Sequence, residues 1–179
     1  MIKKNNIYNG NKILTMSVVI YKKEGKVTRI AADGQFSLEG NGLIGPQQKL
    51  YKFPNGIIVG HCGGITQMQW LNKCLEKLGE NSCYDTLYNA ITCSGIQPHG
   101  PEHRSLIFLK DKIYYLKISR DKIDIFSDIS ERKMFGIGFY EMPLGCMIMG
   151  ASPEEAIKRA SEYNMYFDSN VTCFEIKNK

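Results

Sequence analysis

The sequence predicts an α+β domain built in layers, with antiparallel strands and helices in separate blocks. Three observations predict it. Short β-rich runs divided by Gly and charged turns come in two blocks, residues 17–63 and 105–140. From Gly63-Gly64 onward the apolar period changes to steps of three and four, the helical period. A second helical block follows the second strand block and one strand ends the sequence, giving strands, two helices, strands, two helices, strand. Two stacked sheets covered by helices on both outer sides is a four-layer arrangement that fits this order. The 179 residues are enough for one such domain with a real core, and no composition shift asks for two.

Each element has a local reason. Residues 1–15 are polar and Asn/Lys-rich and read alone as a flexible tail. "SVVIY" (17–21) is a buried-type strand, "KKEGK" a hairpin turn around Gly25, and "VTRIAAD" the returning strand. "FSLEGNGLIGPQQ" is Gly-rich and reads as irregular. "KLYKFPNGIIVGHCGG" gives two strands around a Pro-Asn-Gly turn whose glycine can take φ > 0. "ITQMQWLNKCLEKLG" places Ile65, Met68, Leu71, Leu75 and Leu78 on one helical face, with Gly79 as the stop. "SCYDTLYNAI" repeats the pattern with Tyr84, Leu87, Tyr88 and Ile91, and Ser82 with Asp85 resembles a capping box. After the loop "QPHGPEHR" come the strands "SLIFL", "KIYYLKI", "KIDIF" and "MFGIGFY", then "EMPLGCMIMG" as a short apolar helix or turn. "SPEEAIKRASEY" is the sharpest local signal: Ser152 caps, Pro153 takes the first helical position and Glu155 completes the box. "VTCFEI" is the last strand.

Composition excludes several function classes. A net charge of +5 with lysines scattered through turns and strand ends is a solvated surface, not the one-sided basic footprint of a nucleic-acid binder. No apolar run approaches 18 residues, so no membrane span is expected, and the basic N-terminus lacks the apolar stretch of a signal peptide. Six cysteines without a CxxC pair read as reduced thiols of a cytoplasmic protein. His99, Glu102 and His103 look like metal ligands, but in a Gly/Pro loop without a third anchored ligand they read as a plain loop, and a metal remains unassigned. His61 reads as a satisfied or partly exposed histidine, with lining a specificity pocket as the alternative.

Three polar positions stand beside apolar strands: Ser17, Asp33 and Lys49. A carboxylate and an ammonium at the ends of neighbouring strands can pair, and burial keeps both charged only if they do. An ammonium held beside a serine hydroxyl can lower that oxygen's pKa. By residue type and spacing alone, three ordinary strand-end residues would look the same.

"MSVVIYKKEGKVTRIAADGQFSLEGN…GPQQKLYKFPNGIIVGHCGGITQMQWL" resembles the start of proteasome-type peptidase subunits, most of all the bacterial HslV-type subunit. The likeness resumes at "FGIGFY" and "SPEEAIKRASEYNMY" and so covers nearly everything from Met16 onward. It implies an N-terminal nucleophile (Ntn) hydrolase with an αββα sandwich over residues 17–179, preceded by an extension or propeptide, 1–16. It puts the nucleophile on Ser17, the acidic partner on Asp33, the lysine on Lys49 and the oxyanion-hole N–H on Gly63.

The resemblance implies cleavage of unfolded polypeptide in a self-associated ring, fed by an AAA+ unfoldase, with no organic cofactor. In HslV-type subunits backbone carbonyls after the last helix, around residues 161–167 here, hold a cation, and a monovalent one is expected. The chain departs from the pattern in four places. Serine replaces the usual threonine, and Ser17 is internal, so its nitrogen is an amide unless residues 1–16 are cut off or translation starts at Met16. The family's serine in the glycine turn maps to Ile137, and its later aspartate and serine map to Asn164 and Phe167. Non-catalytic proteasome subunits keep such an extension, so an inactive structural or regulatory subunit is the second reading, and a small-molecule amidohydrolase ranks last.

Overall fold

A computed structural model describes residues 17–38, 42–79, 82–94, 102–119, 122–163 and 168–177, with backbone only over 35–38 and 42–46. Two antiparallel sheets carry the architecture. The first has four strands in the order β10-β1-β2-β11. These are β1 (Val18–Glu24), β2 (Val27–Asp33), β10 (Met134–Gly138) and β11 (Val171–Lys177). The second has five in the order β5-β6-β7-β8-β9. These are β5 (Leu50–Lys52), β6 (Ile58–Gly63), β7 (His103–Leu109), β8 (Lys112–Ser119) and β9 (Lys122–Asp128).

The alternation of side chains along each strand assigns the layers. Val19, Tyr21, Ile30 and Ala32 of the first sheet meet Leu50, Ile58, Leu106 and Phe108 of the second in an inter-sheet core. Val18, Ile20 and Ala31 face the other way, onto α3 (Glu141–Ile148) and α4 (Pro153–Tyr163), where Met147, Ala156, Ile157 and Ala160 cover them. Val59, Ile107, Tyr114 and Leu116 face α1 (Ile65–Glu76) and α2 (Tyr84–Thr92), against Trp70, Leu71, Leu75, Leu87 and Ile91. The order is helix, sheet, sheet, helix: the expected four layers. It explains why "SVVIY" is apolar at every strand position, because β1 is covered on both faces.

Local expectations fare unevenly. The Pro-Asn-Gly turn forms, with Gly56 at φ 81°. Asn55 also does something its turn role did not predict: its Nδ2 donates to the Leu75 and Leu78 carbonyls at 2.9 and 2.8 Å, satisfying orphan acceptors where α1 ends. The helix stops at Lys77 as C-cap, two residues before Gly79. Ile65 is 37% exposed, and the buried face of α1 turns instead toward Trp70 and Cys74, because a sheet beneath a helix covers a wider stripe than one row. The box at α2 falls one residue later than expected, on Cys83 and Thr86, whose hydroxyl accepts from the Cys83 N–H at 2.7 Å. The Ser152–Glu155 box forms as expected: the Glu155 carboxylate accepts from the Ser152 N–H and the Glu155 N–H donates to Ser152 Oγ, at 2.9 and 3.3 Å.

The stretch read as irregular contains a hairpin, β3 (Gln35–Leu38) with β4 (Gly42–Pro46), whose register shifts between Phe36 and Ser37. Glycines within it hid the strand signal. All six cysteines are free thiols. No helix among the described residues is long and apolar enough to cross a membrane.

Candidate active site

Ser17 is the residue immediately before β1, at the end of the sheet where β1, β10 and β2 meet. It is 2% exposed. Its peptide is clamped on both sides. The next N–H, of Val18, donates to Asp33 Oδ1 at 2.8 Å. The Ser17 carbonyl accepts from the Phe139 N–H at 3.0 Å. Gly138, at φ 80°, is what lets that bond form: a Cβ there would overlap the Ser17 carbonyl oxygen and stand 3.0 Å from Cys62 Sγ. Only glycine combines that conformation with that approach.

Asp33 ends β2, and Lys49 precedes β5 in the other sheet. They are not neighbours in one sheet, as pairing at adjacent strand ends would require, but face each other across the sandwich. Lys49 Nζ donates to both Asp33 oxygens at 2.8 Å. The side chains are 4% and 0% exposed, so each charge is compensated almost wholly by the other and by local hydrogen bonds. One carboxylate oxygen thus joins the ammonium to the peptide that follows Ser17.

Gly63 is the last residue of β6, not part of a free turn, and Gly64 is the N-cap of α1. At φ 122° Gly63 lies against β7, where a Cβ would come within 2.7 Å of the His103 Cα. Cys62, beside it, faces the inter-sheet core and meets the Ile137 carbonyl at 3.6 Å. Burial, more than the opposed effects of Lys49 and Asp33, pushes its thiol up to about 12, so it is a packing group. Ile137 is 1% exposed and packs in the same inter-sheet core.

His61 is buried and satisfied: Nε2 meets Asn72 Oδ1 at 2.9 Å, and Nδ1 meets Ser105 Oγ at 3.0 Å and His103 Nε2 at 3.2 Å. Burial pulls its pKa down to about 4 despite the Asn72 bond. His103 was expected in a loop; it opens β7 and is fully buried, with Nε2 at 2.9 Å from Ser105 Oγ. Burial and His61 hold it well below the usual histidine range. Glu102 bonds Arg104 and Lys117 instead of joining a ligand set. His99, Asn164, Phe167 and residues 1–16 lie outside the described residues, as does most of the expected cation loop. Among the described residues no three His, Cys, Asp or Glu side chains group as a metal site.

Sequence reasoning missed the Val18–Asp33 bond and the His61–Ser105–His103–Asn72 cluster. A signal for the second existed: His103 and Ser105 are two apart in a strand, on the face that carries Ile107 and Leu109 into the helix layer.

No protein-family profile and no curated protein sequence matches the chain. Solved structures do. BPH from Thiobacillus denitrificans, solved with epoxomicin, superposes with a TM-score of 0.67 at 16% identity, covering 90% of this chain and 99% of that one. Eukaryotic HslV from Trypanosoma brucei gives 0.61 at 12% identity, covering 90% and 99%. The Anbu complex from Pseudomonas aeruginosa, a helical assembly, gives 0.60 at 8% identity, covering 89% and 81%. With two antiparallel sheets stacked between helix layers and these neighbours, the chain has the fold of the proteasome-type Ntn hydrolases.

Proposed function

We propose that the chain is a subunit of a self-associating, cytoplasmic peptidase that cuts unfolded polypeptide, with Ser17 as an N-terminal nucleophile once residues 1–16 are gone. The observation that carries this reading is the buried Asp33 carboxylate, which holds both Lys49 and the peptide after Ser17. The same carboxylate thus fixes the lysine and the peptide that leads into β1.

The freed α-amine, with a pKa near ~7.7–8.0, takes the Ser17 hydroxyl proton at neutral pH. The Lys49 ammonium favours the developing alkoxide, and Asp33 keeps the ammonium in place. Ser17 Oγ adds to the scissile carbonyl, and the Gly63 N–H meets the oxyanion, a contact worth ~3–4 kcal/mol. Collapse breaks the C–N bond, and the proton passes from the α-ammonium to the leaving amine. Water then hydrolyses the ester with the same amine as base. No organic cofactor is needed; a monovalent cation on the backbone around residues 161–167 is the one ion this reading includes. Self-association is supported by the assembly of the Pseudomonas relative, and an AAA+ unfoldase would supply substrate to a closed chamber.

Intact mass and epoxomicin labelling test the proposal together. The expected result is loss of residues 1–16 and an adduct on Ser17. A full-length chain from Met1 in the native assembly, with no adduct, refutes it. That outcome favours the second reading, a non-catalytic subunit, for which the packing of Ile137 in the inter-sheet core is the specific observation.

A further inference from the structure

Three buried polar side chains and the half-buried Asn72 lie beneath the Gly63–Gly64 junction, on the helix-facing side of the five-stranded sheet. They come from three elements: His61 from β6, His103 and Ser105 from β7, Asn72 from α1. Gly63 is registered directly opposite His103, and His61 opposite Ser105. The cluster therefore ties together the end of β6, the start of β7 and the body of α1, the three parts that fix where the Gly63 N–H points.

With Asn72 Oδ1 as the acceptor, the hydrogen bonds fit two neutral rings. With Asn72 Oδ1 facing it, His61 Nε2 carries a proton and Nδ1 accepts. His103 Nε2–H donates to Ser105 Oγ at 2.9 Å, and the Ser105 hydroxyl donates to His61 Nδ1 at 3.0 Å. Every donor then points the same way, toward α1. A proton added at His61 Nδ1 would face the His103 Nε2–H across 3.2 Å, donor against donor. A proton added at His103 Nδ1 would find no hydrogen-bond geometry, although the Gly64 backbone is near enough to favour it. Tyr51 of β5 stands edge-on to His61. The formal charges beside His103, those of Glu102, Arg104 and Lys117 of β8, bond one another. No carboxylate among the described residues bonds either ring, so none compensates a second proton.

We infer that His61 and His103 are positioning residues for the Gly63 N–H: with Ser105 and Asn72 they lock the β6–α1 junction while both rings are neutral, and release it on acidification. The functional part rests on the oxyanion role proposed for Gly63; the lock does not.

Hydrogen–deuterium exchange by mass spectrometry on the full chain tests it, read on residues 60–66 against 112–119 and corrected for the intrinsic pH dependence of exchange. From an open-state histidine pKa of ~6.5, lowering the pH from 7.5 to 5.0 should raise opening about 30-fold for one ring and about 1000-fold for two. The wild type is expected to show about two decades per pH unit below pH 6. His103→Leu, which keeps the His61–Ser105 and His61–Asn72 bonds, should show about one. His61→Phe/His103→Leu should be flat. An acid response that is absent in the wild type, or equally steep in His103→Leu, overturns the inference. Peptide hydrolysis by the processed enzyme gives the functional arm: the ratio of kcat at pH 6 to kcat at pH 8 should rise in His103→Leu while KM holds, and an unchanged ratio overturns the positioning role. No hydrolysis at any pH together with a two-decade exchange response means that the lock stands and the peptidase reading falls.

Discussion

Replacing Lys49 by Met separates the energetics of the site from its chemistry. Methionine keeps most of the stem and its packing but removes the ammonium that donates to both Asp33 oxygens. What remains is a buried carboxylate whose described partner is the Val18 N–H, beside any local bond it keeps. Breaking such a pair from one side costs about 3–5 kcal/mol, because the residual charge has lost its compensation. With a urea slope of about 2 kcal/mol/M the midpoint should fall by about 1.5–2.5 M. The internal control is Lys158–Glu154, a helix-surface pair in which both side chains are about half exposed. Lys158→Met should cost under about 0.5 kcal/mol. The double variant Asp33→Asn/Lys49→Met removes both charges and keeps a side-chain oxygen for Val18, so it should recover most of the loss. Equilibrium urea unfolding at one fixed protein concentration reads all three, since assembly itself shifts apparent stability. Equal shifts for Lys49→Met and Lys158→Met would refute the buried-pair argument. The double variant carries the further consequence: it should be folded but unlabelled by epoxomicin, because the Lys49 ammonium that the proposed chemistry sets beside the Ser17 hydroxyl is gone.

Four further expectations follow from single contacts. Gly138→Ala forces a left-handed φ on alanine and drives its Cβ into the Ser17 carbonyl; it should cost more than the ~1–2 kcal/mol of conformation alone, seen as a fall in Tm. Asn55→Ala frees two carbonyls at the end of α1 and should cost about 1–2 kcal/mol, a Tm loss of about 2–8 °C. Ser152→Ala removes the α4 cap and should cost about 1 kcal/mol in urea unfolding. His61 is held at about 4, against ~6.5 in the unfolded chain, so the unfolded state binds more protons between these values. Stability should therefore fall as pH drops from about 6.5 to about 4, by about 3 kcal/mol from this ring, and His61→Phe/His103→Leu should flatten that part of the urea-midpoint profile.

The parts of the fold legible in the sequence were those fixed by local chemistry. Ser152, Pro153 and Glu155 announce α4 because capping is decided within four residues. "SVVIY" announces a doubly covered strand because burial on both faces leaves no polar alternation. The β3–β4 hairpin was not legible, since Gly40, Gly42 and Gly45 dilute the β-former signal. At the site, residue types and the likeness to a family singled out Asp33 and Lys49, but not how they meet. Their contact runs between two sheets, and a sequence carries no local mark of which strand ends face across a sandwich. The Val18–Asp33 bond is invisible for a different reason: a backbone N–H has no residue identity. His61 and His103 are 42 residues apart, and only the β6–β7 register brings them together.

Ile137 then decides how the two functional readings differ physically. A serine there would place a hydroxyl in the core that holds Cys62, Leu50 and Val19. It would need a partner at the N-terminal residue to offset its desolvation. Isoleucine removes that need and contributes packing instead, so the inter-sheet core closes without help from an α-amine. The contacts at Ser17 serve either reading: the Phe139 bond continues the β1–β10 ladder one pair beyond Val18–Gly138, and the Asp33 carboxylate satisfies a buried N–H. In the peptidase reading the departure at Ile137 bears on the support of the amine alone; in the non-catalytic reading it is packing, and an adduct on Ser17 decides between them.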